Sequence, residues 1–553
     1  MGVLDILINA FIVTRFIPFW TPIYYAILAY GCYLVYRMVL FAYNQYHLQK
    51  DVIRVQELQN GEMTCVQALA SVMENCLDNI ALNAVTFFVL DAIKMAKEWD
   101  NHANEAGFER PPLFGIPISV KESTMVKGYA LTFGFITRAD KKAERHSITI
   151  QKLVNKGAIP FCLSNVPQTL LTFHCNNPVF GLTTNPHREG RTCGGSSGGE
   201  GALVGGKMSY VGIGSDVGGS IRIPSHFCGA VGVKPGGTRL SRKDCISSLP
   251  GRPLVDDTEG PIGQTVEACV DVFSNLVDYG MPNADPYAPP VPWRQEIFLN
   301  GKKDMTIGYY LHDGWFEPCP AVKNAVLKAV DCLKEQGYNL VEFQPPDSST
   351  AFSLMFGVLS VDGGYLVDAV SRDLLLKEYI EVLGPFTLPS SIRMLLAHTV
   401  GRFVPRARTL LSFAPASTSD LRQMSADIQS YRKRFIEEMK KQNIDLILCP
   451  PNAGLAYRLP EPLKLYPTIS YTTLFNLLDF PAGVLPVRSC TEEDIENMKH
   501  YEAHDPWERL FKDSMSDPKL VGMSVNVQVA GPPFSEELIF HLMKCIEEGV
   551  NKH

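Results

Sequence analysis

Two serines sit in glycine-rich backbone: Ser196 within Gly194-Gly195-Ser196-Ser197-Gly198-Gly199-Glu200-Gly201, and Ser220 within Gly218-Gly219-Ser220-Ile221-Arg222. Upstream, Lys121 closes the apolar run Leu113-Phe114-Gly115-Ile116-Pro117-Ile118-Ser119-Val120. Glycine admits positive φ and lets backbone N–H groups approach a reacting oxygen closely. Acyl transfer needs both an accessible nucleophile and donors aimed at the developing oxyanion. The two clusters together therefore point to an acyl-transfer site. A glycine-rich turn with incidental serines accounts for either cluster alone better than for both.

A serine hydroxyl is a weak nucleophile and needs a base within reach. His226, six residues after Ser220, is the usual kind of candidate. No G-x-S-x-G elbow surrounds Ser220, so an α/β-hydrolase triad is poorly supported, and His226 and His174 read as ordinary, partly buried residues. Lys121 is the better base. The run before it predicts burial, and a buried lysine without a carboxylate partner gives up its proton readily. The competing reading is a strand-end lysine that snorkels to water or pairs with the neighbouring Glu122. No G-K-[ST] follows the glycine block, which excludes a phosphate-binding loop.

The elements that must position these groups are legible in outline. Residues 64–100 read as helices, with Val66, Leu69, Val72 and Met73 at helical spacing. Residues 115–120 read as a strand leading into Lys121, 148–154 as a helix closed by Gly157, and 158–163 as the next strand. Helix and strand signals keep alternating through 305–343 and 444–448, which predicts an α/β body. The 553 residues are 46% hydrophobic and 20% charged, with a net charge of -7 and no long block of one sign. That balance predicts a folded protein without a nucleic-acid partner. The 14 cysteines contain no CxxC pair, so neither a metal site nor a disulfide framework is expected, and free thiols suit a reducing compartment. No N-x-[ST] sequon occurs, in keeping with a body outside the secretory lumen. With no Pro/Gly/Ser-rich linker, residues 45–553 read as one large catalytic domain rather than the several that length alone suggests.

Residues 1–44 read as a membrane anchor. From Phe16 to Tyr36 the chain carries no charge, and its 21 residues would span about 31 Å as a helix. Arg15 and Arg37 bound the segment, and Trp20, Tyr24, Tyr25, Tyr33 and Tyr36 suit the membrane interfaces. Pro18 and Pro22 favour the rival reading of a helix lying in the interface. Arg37, Lys50 and Arg54 outnumber Arg15, so a single-pass helix leaves the body cytosolic. A second membrane-seeking segment lies at 388–413. No acidic residue occurs between Val382 and Ser419, while Arg393, Arg402, Arg406 and Arg408 alternate with Ile392, Met394, Leu395, Leu396, Phe403, Val404, Leu410, Leu411 and Phe413. Such a basic, amphipathic helical pair suits a bilayer interface.

Lys121, the block GGSSGGEGA at 194–202 and GSDVGGSIRIPS at 214–225 resemble the amidase signature family. NVPQTLLTFHCNNPVFG at 165–181 and SYTTLFNLLDFPAGVLPV at 470–487 extend the likeness to its fatty acid amide hydrolase branch over nearly the whole chain. The resemblance implies a central mixed, twisted β-sheet surrounded by helices. It also implies a Ser–Ser–Lys triad: Ser220 as nucleophile, Ser196 as bridging serine on a cis peptide bond with Gly195, and Lys121 as base. The N–H groups of Val217, Gly218, Gly219 and Ser220 would form the oxyanion hole, with Ser197, Ser215, Asp216 and Arg222 supporting the loops. Leu170, Leu171, Phe173, Leu474, Phe475 and Leu478 would line an acyl channel. The implied enzyme is a cofactor-free, homodimeric hydrolase of N-acylethanolamines and primary fatty acid amides on an internal membrane such as the endoplasmic reticulum. The alternative is an amidase or esterase of the same mechanism with another lipophilic substrate. The chain departs from the branch at Leu170, where its mammalian members carry methionine, and at Cys449, which replaces a threonine. Both departures bear on acyl-chain preference.

Overall fold

Short β-branched and aromatic runs build eleven strands of one sheet in the computed structural model, which describes residues 55–551 apart from 249–250, 252–253, 279, 360–371, 378, 380–387 and 413–416. In chain order they are β1 Val85–Phe88, β2 Pro117–Lys121, β3 Ile159–Ser164, β4 Val211–Asp216, β5 Val231–Lys234, β6 Thr258–Gly263, β7 Thr306–Tyr309, β8 Asn339–Glu342, β9 Leu446–Cys449, β10 Ala482–Ser489 and β11 Ser524–Ala530. Their order across the sheet is β1-β3-β2-β4-β6-β5-β10-β11-β9-β7-β8. β2 runs parallel to both β3 and β4, and β7 parallel to β8 and β9, while the remaining pairs are antiparallel. The expected α/β mixed sheet is present.

Buried strands read as continuous apolar runs because helices cover both faces. Every residue of β2, β3 and β5 is buried. The helix Ile148–Asn155 and the strand after it fall where the spacing places them. The stretch 64–100 differs: it holds the helices Cys65–Asp78 and Ala92–Ala103 with β1 between them. Val85-Thr86-Phe87-Phe88 is a β-forming run, and pairing with β3 outweighs the helical spacing around it.

The predicted transmembrane segment at 16–36 and the whole anchor region 1–44 around it lie outside the described residues. Among the described residues no helix is long and apolar enough to cross a membrane. The 388–413 segment does form a helical pair, Ser390–Val400 and Pro405–Ser412. Five of its apolar residues face outward, Phe403 88% exposed and Leu395 62%, with Ile392, Met394 and Val400 also exposed, whereas Leu410 packs into the core. The arginines are not a uniform solvated face. Arg393 is buried. Arg406 ion-pairs with Asp505 and, at 2.8 Å, with Glu508, and its guanidinium lies over the rings of Trp315 and Phe316. That arginine fastens the helical pair to the body, because two carboxylates and two aromatic faces satisfy it better than water does.

Candidate active site

Three parallel strands deliver the site. In open α/β sheets the carboxyl ends of parallel strands leave a crevice where ligands bind, and Lys121 is the last residue of β2, paired in register with Ser164 at the end of β3. β4 ends beside it on Ser215 and Asp216. The Ser196–Ser197 turn then enters the helix Gly198–Gly205, and the Gly218–Ser220 turn enters the helix Arg222–Cys228. The glycines are needed for contact: a Cβ on Gly199 would fall 2.3 Å from the Asn165 nitrogen, so the helix can lie against β3 only without one. Gly219 adopts φ +126°, and a Cβ there would meet Thr472 Oγ1 at 2.4 Å.

Lys121 is buried, and its Nζ donates to Ser196 Oγ at 2.8 Å, Ser215 Oγ at 2.9 Å and the Ser215 carbonyl at 3.3 Å. Among the described residues no carboxylate pairs with it. Glu122 points elsewhere, accepting the N–H groups of Thr132 and, at 3.1 Å, Phe133. Burial pushes the Lys121 ammonium down to about 8, against the pull of Asp216. The peptide bond Gly195–Ser196 is cis. Ser197 ties the two serine turns together, its N–H donating to the Ser220 carbonyl at 3.0 Å and its Oγ bridging the backbone of Ser215. The Ser196 and Ser220 hydroxyls share no direct hydrogen bond, so contact between the turns runs through this backbone link among the described residues.

Asp216 and Arg222 hold the glycine loop from beneath, both fully buried. Asp216 accepts the N–H groups of Gly219 at 2.8 Å and Ile221 at 3.1 Å, and two guanidinium N–H groups at 3.0 Å. Burial alone would raise this carboxyl, but the Arg222 charge overrides it and holds it well below the usual aspartate range. The Gly219 N–H, one of the four expected oxyanion donors, is engaged by the Asp216 carboxylate. Ser215, expected to support that loop, instead contacts the lysine itself. His226 is buried with both ring nitrogens on backbone, Nε2 on the Gly454 carbonyl at 3.0 Å and Nδ1 on the Asn526 N–H at 3.3 Å, and burial pushes it down to about 4. It is fully rather than partly buried, and packs as an ordinary core histidine.

The model for the family described as Amidase matches residues 69–540. The chain belongs to the amidase family. It is 40% identical over 500 residues to fatty acid amide hydrolase 1 of Caenorhabditis elegans, spanning 89% of this chain and 87% of the relative. It is 34% identical over 503 residues to fatty-acid amide hydrolase 1 of Sus scrofa, spanning 89% and 84%. A solved fatty acid amide hydrolase superposes with TM-score 0.77 at 25% identity, covering 93% of this chain and 88% of that one.

In this amidase the expected channel residues part company. Leu170 and Leu171 are half-buried on one turn, where Leu170 packs against the small cluster of Leu131, Phe133 and Tyr379. Phe173, Leu474, Phe475 and Leu478 belong to the main core, Phe173 with its ring 5.8 Å from Tyr457 and Phe475 stacked on Phe480. Three supporting residues escaped the sequence reading. Thr472 Oγ1 donates to the Gly218 carbonyl at 2.8 Å, while Asn476 and Gln528 accept from Arg222 at 2.6 and 2.8 Å. Thr472 and Asn476 stand four apart on the buried Ser470–Leu477 helix, polar positions on one face that signal a partner.

Proposed function

We propose that this amidase is a membrane-bound serine hydrolase that cleaves fatty acid amides, both N-acylethanolamines and primary amides, to free fatty acid and amine. The observation that carries the reading is the buried Lys121 ammonium, 2.8 Å from Ser196 Oγ and, among the described residues, without a carboxylate partner, beside the Ser220 turn. The fatty acid amide hydrolases among its relatives support the lipid amide as substrate.

Neutral Lys121 takes a proton from Ser196, which takes one from Ser220 as that hydroxyl turns toward it and attacks the amide carbonyl. Catalytic hydrogen bonds commonly close only once substrate is bound. The N–H groups of Val217, Gly218 and Ser220 stabilise the tetrahedral oxyanion, each such donor being worth about 3 kcal/mol. The relay returns the proton through Ser196 to the leaving amine, and water hydrolyses the acyl-enzyme. The exposed Ile392, Met394, Leu395, Val400 and Phe403 support a helical pair seated in the bilayer, from which a long acyl chain enters without crossing water. We place the body on the cytosolic side of an internal membrane, the endoplasmic reticulum, held by the single-pass segment 16–36, as a homodimer.

The test is hydrolysis of oleamide and of an acylethanolamide by detergent-solubilised protein beside Ser220→Ala. Turnover of both lipids by the wild type and of neither by the variant is expected. Turnover by Ser220→Ala at the wild-type rate overturns the nucleophile. Turnover of a short amide but neither lipid moves the substrate to the alternative class.

A further inference from the structure

Glu200 lies on the first turn of the Gly198–Gly205 helix, four residues beyond Ser196, and is fully buried. Its Oε2 accepts Ser119 Oγ at 2.5 Å, and Ser119 Oγ lies 3.0 Å from Ser209 Oγ. Its Oε1 and the Ser164 hydroxyl face each other without a well-formed hydrogen bond. β4 makes room for this carboxyl: a Cβ on Gly212 would fall 1.8 Å from Oε2. Ser119 stands two residues before Lys121 on β2, so the two side chains share a face about 7 Å apart along the strand. The strand therefore presents the carboxyl's donor and the lysine side by side.

From these contacts we infer that Glu200 is an internal counter-charge that, beside Asp216 and Asp257, helps set when Lys121 loses its proton, a positioning residue for the base of the proposed reaction. The inference rests on Lys121 being that base. A carboxyl kept only to bind Ser119 would be replaceable by an amide, which accepts the same hydrogen bond; what an amide lacks is charge. Among titratable groups, Lys121 is the cation acting on Glu200, and the others facing it are the thiols of Cys76 on the Cys65–Asp78 helix and Cys162 on β3, which burial keeps neutral. Lys121 in turn feels Asp216 on β4, Asp257 before β6, Cys175 and Glu200. Burial pushes Glu200 up to about 7 and Lys121 down to about 8, so the two titrate in neighbouring ranges. Once ionised, the carboxylate holds the proton on the lysine.

The experiment is the pH dependence of kcat/KM, and of labelling by a fluorophosphonate that reports Ser220 reactivity, in wild type, Glu200→Gln, Ser119→Ala and Lys121→Ala. Removing the anion should move the acidic limb of Glu200→Gln to lower pH by roughly half to one unit, the size expected of a buried opposite charge at this range. Ser119→Ala, which deprives the anion of its donor, should move the limb the same way by less. A Glu200→Gln limb at or above the wild-type position overturns the inference. If Glu200→Gln does not fold by circular dichroism, an unmoved Ser119→Ala limb overturns it instead. Loss of the limb in Lys121→Ala with no movement in the other two sinks only the role of Glu200. A wild-type limb persisting in Lys121→Ala sinks the base assignment itself.

Discussion

The Thr472 hydroxyl donates to the Gly218 carbonyl at 2.8 Å, joining two segments 254 residues apart. The bond fixes the plane of the peptide whose far side carries the Gly219 nitrogen, next to the proposed oxyanion donors. Thr472→Val keeps the shape and removes the donor, so kcat should fall about fivefold to tenfold, the worth of one hydrogen bond of about 1 kcal/mol. Thr472→Ser should restore it. Steady-state kinetics on both variants, with melting temperature as control, decides the point.

Lys121→Ala should lower kcat/KM by about 10²–10⁴-fold, the range of a general base. Because burial holds the Lys121 ammonium near 8, wild-type activity should fall as pH drops through that value and the amine protonates. A rate profile flat from pH 6 to about 9 would contradict a lysine base of this kind.

Arg222→Met leaves the Asp216 carboxylate buried without its cation. Breaking a buried pair in this way costs about 3–5 kcal/mol, measurable as a lower denaturant midpoint. The sign of its pH dependence follows from the depressed carboxyl of Asp216. The pair contributes stability that is present above the ordinary aspartate value, about 3.9, and is lost as pH falls toward the folded value. Wild type should therefore lose stability in acid more steeply than Arg222→Met.

The helical pair separates two effects. Leu395→Asp with Phe403→Asp alters exposed positions, so vesicle flotation of the protein lacking residues 1–44 should weaken while the melting temperature stays put. Arg406→Ala does the reverse to stability. It strips a cation from Asp505 and Glu508, and about 3 kcal/mol of stability should go with it.

The sequence made the local parts legible and the distant ones not. The run ahead of Lys121 predicts its burial because buried parallel strands are apolar throughout. The glycine blocks advertise close backbone approach. Nothing in spacing alone brings Lys121 to Ser196, 75 residues away, or Arg222 to Gln528, 306 away; the first came only through resemblance, and the second was missed. β1 hid among helical spacings because its partner strand, not its own neighbours, decides it. Arg406 looked like surface charge because its carboxylates lie about a hundred residues on. Spacing also gave no sign that the Gly219 N–H bonds the Asp216 carboxylate.

Arg222 is braced at once by β4 through Asp216, by the Ser470–Leu477 helix through Asn476, and by β11 through Gln528. These segments come from the first half of the chain and from its last hundred residues. Such a site has no modular core: cutting the chain after β10 takes Gln528 from the guanidinium, and expressing the glycine-rich half alone takes Thr472, Asn476 and Gln528 and leaves it only Asp216. The site is closed only when segments from both ends of the catalytic body have met at one guanidinium.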